Sequence, residues 1–477
     1  MYTNAFNVGL SELVDAGAIP PFVYCYPPRS SYRELPEQWT VERIWEEDKK
    51  NSPSNGLNLY IHVPFCRYKC GFCNLYTVIS QDQGTYDRYT DALCKQLLSY
   101  SRIIQERNLR TIYIGGGTPS LLSRDNFKQI FDTITRIYPN WRTVAEEVAI
   151  EASPDSIVDD PGVVPYLMSL GLTRMNMGIQ SLQREELREA GRGIASEDKI
   201  RKAISIVKEN NLPNLSTDLI MGFSGQDDRT WRMSVDELAA LRPESISTYF
   251  LTIRPDAWFH KTGKYEYMRD PRLYERYEYA RAIFLGAGYV QESNVRYKIP
   301  GRGGYQQKVL QFRGVPYLGV GVGARTYTNT VDYLIGGSHK PHMSQVDDYV
   351  RAVNDGTLQI TSGFVYTEEE RIRKRLVLDN FDLNLGDLER YNIGNYRHIY
   401  EGVFAEAVKQ ELMVKLGGHK YQLTPKGFKY RDILSWHLYS EKVVGLDREF
   451  YQSLQDKTAP TLAPREAPAA RSITSAS

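Results

Sequence analysis

Tyr60-Ile-His-Val-Pro-Phe-Cys66-Arg-Tyr-Lys-Cys70-Gly-Phe-Cys73 is the stretch on which the reading of this chain turns, because it holds three of the five cysteines among 477 residues. A cubic iron–sulfur cluster offers four iron corners and takes Cys thiolates as ligands, so three cysteines spaced by three and then two residues would hold three corners. The fourth corner would be open, as one coordination position is in catalytic metal sites. Zinc is the competing reading and wants a fourth ligand. His62 stands four residues before Cys66, but it alternates with Tyr60 in an apolar, strand-like run and reads as a packed histidine. A disulfide framework does not suit five sparse cysteines. Cys25 and Cys94, outside the cluster, read as ordinary buried thiols.

Outward from this loop, short apolar runs alternate with amphipathic stretches. Strands are expected at Leu59–Val63, Thr111–Ile114, Val148–Glu151, Arg174–Ile179, Ser216–Met221 and Ser245–Thr252. Helices are expected between them at Tyr86–Ser99, Asn126–Tyr138, Glu185–Ala190, Ser196–Glu209 and Thr230–Leu241. This alternation predicts an α/β fold with a parallel sheet, compatible with a partial (β/α)6 barrel whose working residues sit where strands end. Gly115-Gly116-Gly117-Thr118-Pro119-Ser120 follows the second strand, where absent side chains would let a ligand approach the backbone; read alone, it is a tight turn. Glu151 ends the third strand, Gln180 the fourth, Arg192 follows twelve residues later, and Asp218 lies in the fifth. A strand-end carboxylate can accept ribose hydroxyls and an Arg can clamp a carboxylate bidentately, although each of these residues taken singly also reads as a salt-bridge or capping residue.

Lys plus Arg is 59 against 58 for Asp plus Glu, so a polyanion partner is not expected. No run approaches the length of a spanning helix, and the N-terminus has no basic segment followed by an apolar one, which gives the expectation of no membrane contact and a cytoplasmic location. The 34 tyrosines suit the wall of a pocket for a large planar ligand, though most read as core or surface residues. Five segments are expected: an N-terminal arm (1–55), the barrel core (56–255), an extension closing a second-ligand and substrate pocket (256–366), a small C-terminal domain (367–445), and a disordered tail (446–477) in which Ala, Pro, Ser and Thr dominate from Thr458.

The Cys-x3-Cys-x2-Cys loop, with Phe72 before its last cysteine, resembles the signature of the radical S-adenosylmethionine enzymes. The resemblance implies a 4Fe-4S cluster on Cys66, Cys70 and Cys73, with S-adenosylmethionine on the fourth iron as the source of a 5′-deoxyadenosyl radical. Tyr60, Gly116-Gly117-Thr118-Pro119, Glu151, Met177-Gly-Ile-Gln180, Arg192, Asp218-Leu-Ile-Met-Gly-Phe and Ser247–Pro255 together resemble the oxygen-independent coproporphyrinogen III oxidase family, over roughly residues 55 to 440. In that family two S-adenosylmethionine molecules bind side by side. By position, the resemblance assigns Tyr60, Gly116 and Glu151 to the cluster-bound molecule. It assigns Phe72, Gly117, Thr118, Gln180, Arg192, Asp218 and Thr252 to the second one. Arg325 joins them through the turn Leu318-Gly-Val-Gly-Val-Gly-Ala324-Arg325, of the type that closes the second ligand's pocket. Tyr421–Phe428 resembles the wing of the family's winged-helix-like C-terminal domain, read as a lid over the site and not as a DNA-binding element.

Departures within that resemblance point to a branch. The oxidase has a hydrophobic residue at Arg325, and the heme-chaperone branch has His-Asn and a His where this chain has Gln307-Lys308 and Arg325. Asn74-Leu75-Tyr76-Thr77 resembles the run that follows the third cysteine in class C radical S-adenosylmethionine methyltransferases. The expectation is therefore methyl or methylene transfer to an sp2 carbon of a natural product, as C-methylation or cyclopropanation, with an electron donor such as flavodoxin or ferredoxin. No acid or base residue is identified. The alternatives are oxidative decarboxylation of porphyrinogen propionates, with Arg29 and Arg325 as candidate propionate partners, and a heme-binding relative.

Overall fold

The computed structural model describes residues 8–20, 22–192, 196–253, 257–261, 272–337 and 341–458. Six strands appear in the expected places: β1 (Gly56–Val63), β2 (Asn108–Gly116), β3 (Glu147–Ala152), β4 (Arg174–Gln180), β5 (Asn214–Met221) and β6 (Ser245–Phe250). They lie side by side in chain order and all parallel. Tyr317–Val320 adds a parallel strand outside β1, while Arg296–Lys298 and Val290–Gln291 extend the other edge antiparallel, giving nine strands. The two edges do not pair with each other, so the barrel is partial and open.

A parallel sheet is covered on both faces and needs near-continuous apolar strands. β1 meets this with every residue buried except the half-buried Tyr60. Its outer cover includes the helices Gln83–Ser99 and Arg124–Ile137, which pack on each other. The second of these starts sharply because the Ser123 hydroxyl accepts from the Asn126 amide while the Asn126 side chain accepts from Ser123, a reciprocal cap. Among the described residues no helix is long and apolar enough to cross a membrane.

A second apolar core lies in the C-terminal region, around Ile372, Leu376, Leu388, Phe404 and Leu434. Asp382–Asn384, Lys420–Leu423 and Met413–Gly417 form a three-stranded antiparallel sheet, the last two joined as a tight hairpin. Leu10, Val14, Val23 and Tyr26 of the N-terminal arm belong to this same core, so the arm is built into the C-terminal region as well as lying near the barrel. The tie between them is Arg431, fully buried, which donates to the carbonyls of Val23 (2.7 Å), Val377 (2.8 Å) and Leu378 (3.1 Å), to Asn380 (3.0 Å) and to Asp432 (2.9 Å).

The expected tail from 446 is corrected at its start: the helix Glu441–Thr458 runs through it. Val443 is completely buried in the C-terminal core, and Ser30 on the arm bonds Asp447, contacts that reward ordering a segment composition alone reads as polar. Residues 459–477 lie outside the described residues, as do Arg254 and Pro255 of the family-like stretch after β6.

Because all five N–H groups of Arg431 are engaged, Arg431→Met should strand three carbonyls and the buried Asp432 carboxylate. The expected loss is about 3–5 kcal/mol. It should show as a lowered thermal midpoint and faster proteolysis of the arm and C-terminal region; wild-type stability would contradict the assigned tie.

Candidate functional site

The three cysteines hang from the end of β1. Phe65–Cys66 pairs in parallel with Val78–Ile79, so the loop between them leaves and returns at one place. Lys69 closes it by donating to the Leu75 and Thr77 carbonyls (3.3 Å each) and to the Thr77 hydroxyl (2.7 Å). Gly71 donates its amide to Ala190 (3.0 Å), and a Cβ placed there would stand 2.2 Å from the Phe259 ring. Cys73 turns back on Cys70 through a 3.1 Å backbone bond. His62, buried, holds the base of the loop: one ring nitrogen meets the Tyr76 carbonyl at 2.8 Å and the other the Tyr60 hydroxyl at 2.9 Å. Burial pulls its imidazole down to about 4, so it is neutral. The packed-histidine expectation holds.

Cys66, Cys70 and Cys73 are free thiols and open on one cavity of about 190 Å³. Gly116, Gly117, Thr118, Glu151, Gln180, Arg192 and Asp218 line the same cavity, so the structure brings together residues scattered over 150 positions of sequence. Burial pushes the Cys66 thiol up to about 12, with a 3.7 Å contact from the Thr118 hydroxyl opposing the shift. Burial also raises Cys70, against the attraction of the buried Arg192 guanidinium. Thiolates this desolvated call for a strongly cationic partner. Among the described residues no three His, Cys, Asp or Glu side chains stand close enough to share one ion. A cubic cluster spreads its thiolates over separate irons, so three thiols around one cavity fit it, and Arg192 adds a fixed positive charge beside Cys70.

The glycine triplet serves packing first. A Cβ on Gly116 would reach 2.5 Å from the His62 ring, and one on Gly117 would reach 2.4 Å from the Phe65 carbonyl. The Gly116 amide is already used, donating to Glu151 at 2.8 Å. Glu151 also accepts from the Tyr113 hydroxyl (2.9 Å), and Asp218 accepts from Asn176 (2.9 Å); burial raises both carboxyls above their ordinary values. Gln180 ends β4 with φ 68°, in the left-handed region, at a register shift against β5. A non-glycine residue holds that conformation only when its surroundings demand it. Here it places Gln180 on the cavity wall.

A larger cavity of about 680 Å³ adjoins the first. Phe72, Cys73, Glu151, Asn176, Gln180 and Asp218 line both. Thr252 borders only the larger one. Its walls mix rings (Phe22, Tyr24, Tyr249, Phe250, Tyr305, Phe312, Phe381) with cations (Arg174, Arg296, Lys298, Lys308, Arg313, Arg431). Tyr305 lies between two guanidiniums, 4.2 Å from Arg174 and 4.8 Å from Arg296. Asn176, Arg174 and Arg296 escaped the sequence reading, and Lys308 entered it only as a departure from the heme-chaperone branch: Arg174 opens β4 instead of ending it, and Arg296 and Lys308 sit in short segments without periodicity.

Three expected site residues fall elsewhere. Tyr60 lines neither cavity but stacks between Tyr113 (5.9 Å) and Tyr317 (5.4 Å). Arg325 lines neither cavity, because its guanidinium turns to the arm, donating to the Tyr24 hydroxyl at 2.7 Å and approaching Cys25 at 3.7 Å. The glycine-rich turn before it packs on β1 and its neighbours: a Cβ on Gly321 would reach 2.7 Å from the His62 carbonyl. Arg29, in a short turn at Arg29–Ser31, also lines neither cavity.

Comparison with known proteins gives the class first. Residues 60–238 match the family described as the radical SAM superfamily, whose cofactors are a 4Fe-4S cluster and S-adenosylmethionine. The heme chaperone HemW of Escherichia coli is 30% identical over 268 residues, covering 56% of this chain and 69% of that protein. The oxygen-independent coproporphyrinogen III oxidase of Synechocystis is 24% identical over 403 residues, covering 79% and 83%. The solved coproporphyrinogen III oxidase (HemN) of Escherichia coli, a radical SAM enzyme, superposes with a TM-score of 0.71 at 19% identity, over 87% of this chain and 96% of that one, and shows the shared fold. The chain belongs to the radical SAM superfamily and, within it, to the family of HemW and oxygen-independent coproporphyrinogen III oxidase.

These relatives overturn one expectation. The natural-product methyltransferase or cyclopropanase reading rested on Asn74-Leu75-Tyr76-Thr77, and the matching proteins carry heme-chaperone and porphyrinogen-oxidase names instead. In the structure that run is committed to holding the loop: the Leu75, Tyr76 and Thr77 carbonyls are all hydrogen-bonded by Lys69 or His62. Such bonds are compatible with more than one chemistry.

Gly71→Ala leaves all three thiols in place but collides with Phe259. After anaerobic reconstitution it should bind several-fold less iron per chain than wild type, measured by colorimetric iron assay. Wild-type iron content would contradict the loop's fixed geometry.

Proposed function

We propose that this protein is a radical S-adenosylmethionine oxidoreductase that removes carboxylate side chains from a tetrapyrrole-type substrate by oxidative decarboxylation. The observation that carries the reading is the shared wall: a ligand in the larger cavity lies against the residues that border the three cysteines. A cavity of about 680 Å³ lined by rings and buried cations suits a large, partly planar, anionic molecule. The name of the Synechocystis oxidase supports the same reading, and that of the heme chaperone a tetrapyrrole ligand.

Cys66, Cys70 and Cys73 would hold the cluster, which with S-adenosylmethionine supplies a 5′-deoxyadenosyl radical. Glu151 and Gly116 would hold one S-adenosylmethionine molecule. Phe72, Gly117, Thr118, Gln180, Arg192, Asp218 and Thr252 would serve a second one or the substrate side of the wall. Asp218 and Glu151, whose carboxyls burial raises above their ordinary values, offer oxygen acceptors to hydroxyl and ammonium donors. Asp379, Phe381, Asp382 and Arg431 border the larger cavity, which supports the C-terminal region as a lid. In the net reaction a propionate loses one hydrogen atom from the carbon β to its carboxylate, one electron to an external acceptor, and CO2, leaving a vinyl group. A low-potential donor of the flavodoxin or ferredoxin type would supply the electron for cofactor cleavage.

The test is anaerobic incubation of reconstituted protein with dithionite, S-adenosylmethionine and coproporphyrinogen III, followed by mass spectrometry. As neutral molecules, products lighter by CO2 plus two hydrogen atoms per propionic acid side chain are expected. Intact substrate despite cofactor cleavage would overturn the decarboxylase reading. A specific Soret shift with one equivalent of heme, without decarboxylation, would assign the protein to heme binding.

A further inference from the structure

We infer that Lys308 is the specificity-determining residue of the larger cavity, receiving a carboxylate of the substrate; this rests on the reading above. Lys308 is half-buried, on the short helix Gln306–Phe312, and borders the cavity. Its ammonium donates to the Tyr24 carbonyl (3.0 Å) and the Gln311 side chain (3.1 Å), and lies 5.5 and 5.2 Å from the Tyr24 and Phe312 rings. No carboxylate among the described residues bonds it. An ammonium has three donors, and two are placed.

Most other cations of the cavity have a carboxylate partner within the protein, Arg174 standing 3.9 Å from Glu147. Glu292 pairs with Arg296 (3.3 Å) and Lys298 (2.9 Å), and Asp379 with Arg375 (3.0 Å). Arg431 has every donor engaged. Lys308 and the exposed Arg313 are thus the wall cations with no carboxylate within ion-pair distance among the described residues, and of the two only Lys308 is withdrawn from solvent. The groups facing it are Tyr24 and Cys25 from the arm, Arg296 from the sheet edge, Arg325 after the glycine-rich turn, and Arg431 from the C-terminal region. An amine half withdrawn from solvent and faced by cations is stabilised by an anion that enters the cavity.

The arrangement also sets a sign for pH. Burial pulls Lys308 down to about 7, with Cys25 opposing and Arg296, Arg325 and Arg431 adding to the shift. A carboxylate bound beside it favours the protonated form and raises it again. Binding therefore takes up a proton above neutral pH, and affinity falls as pH rises through about 7, by at most about tenfold per pH unit.

The test uses coproporphyrin III, the unreactive oxidised tetracarboxylate, titrated into reconstituted full-length protein from about pH 6 to about pH 9, where its carboxylates stay ionised. Wild type should lose affinity above about pH 7, with proton uptake seen by calorimetry in buffers of different ionisation enthalpy. Lys308→Arg, which keeps the charge at every pH, should retain the tight binding and lose the pH dependence. Lys308→Met should bind several-fold more weakly at the acid end, with a flat profile. A wild-type profile as flat as that of Lys308→Met, at equal affinity, overturns the role of Lys308 while leaving the proposed function standing. Failure of wild type to bind coproporphyrin III at all overturns both.

Discussion

The site depends on one neutral imidazole. His62 stands at the carboxyl end of β1, fills the space that a side chain on Gly116 would need, and joins the Tyr60 hydroxyl to the Tyr76 carbonyl. Its nitrogen on the carbonyl must donate, and because burial keeps the ring neutral the other accepts from the Tyr60 hydroxyl. Through these contacts the end of the first strand, the glycine triplet after the second, and the return of the cysteine loop are fixed to each other. The cysteines gain a defined position because a buried ring, two strand ends and a loop carbonyl share one small volume.

Around this post the two cores divide the work. The open sheet places Glu151, Gln180 and Asp218 at the carboxyl ends or upper parts of successive parallel strands, facing the cysteine loop. The arm and the C-terminal region, tied by Arg431, bring Phe22, Tyr24 and Phe381 to the far side of the larger cavity. Ligand chemistry in such folds sits at strand ends because the loops there are free to vary while the sheet stays rigid. The cations of this cavity instead come from the start of β4, from an edge strand and from a short helix, which makes its charge a property of tertiary packing.

Much of the barrel was legible beforehand. The six strand positions agree with the observed ones to within three residues at either end, because buried parallel strands are written as apolar runs. The cysteine spacing and the strand-end residues Glu151, Gln180 and Asp218 were legible for the same local reason. The helices Pro154–Asp159 and Val163–Ser169 were not, being too short to show a period, nor was the strand Tyr317–Val320, which pairs with β1 across some 250 residues. Arg325 misled because its partner, Tyr24, lies on an arm whose path no local pattern records. Gly116 was read for ligand approach, whereas the neighbour it makes room for is His62. Asn74–Thr77 was read as a mark of chemistry, and its carbonyls hold the loop.

The central claim is that a molecule in the larger cavity is the hydrogen donor to the radical chemistry at the cysteine loop. The most direct measurement is mass spectrometry of the 5′-deoxyadenosine released from coproporphyrinogen III deuterated at the propionate carbons β to the carboxylates. Deuterium in the nucleoside is the predicted result. Unlabelled nucleoside formed while the porphyrinogen is consumed would contradict the account.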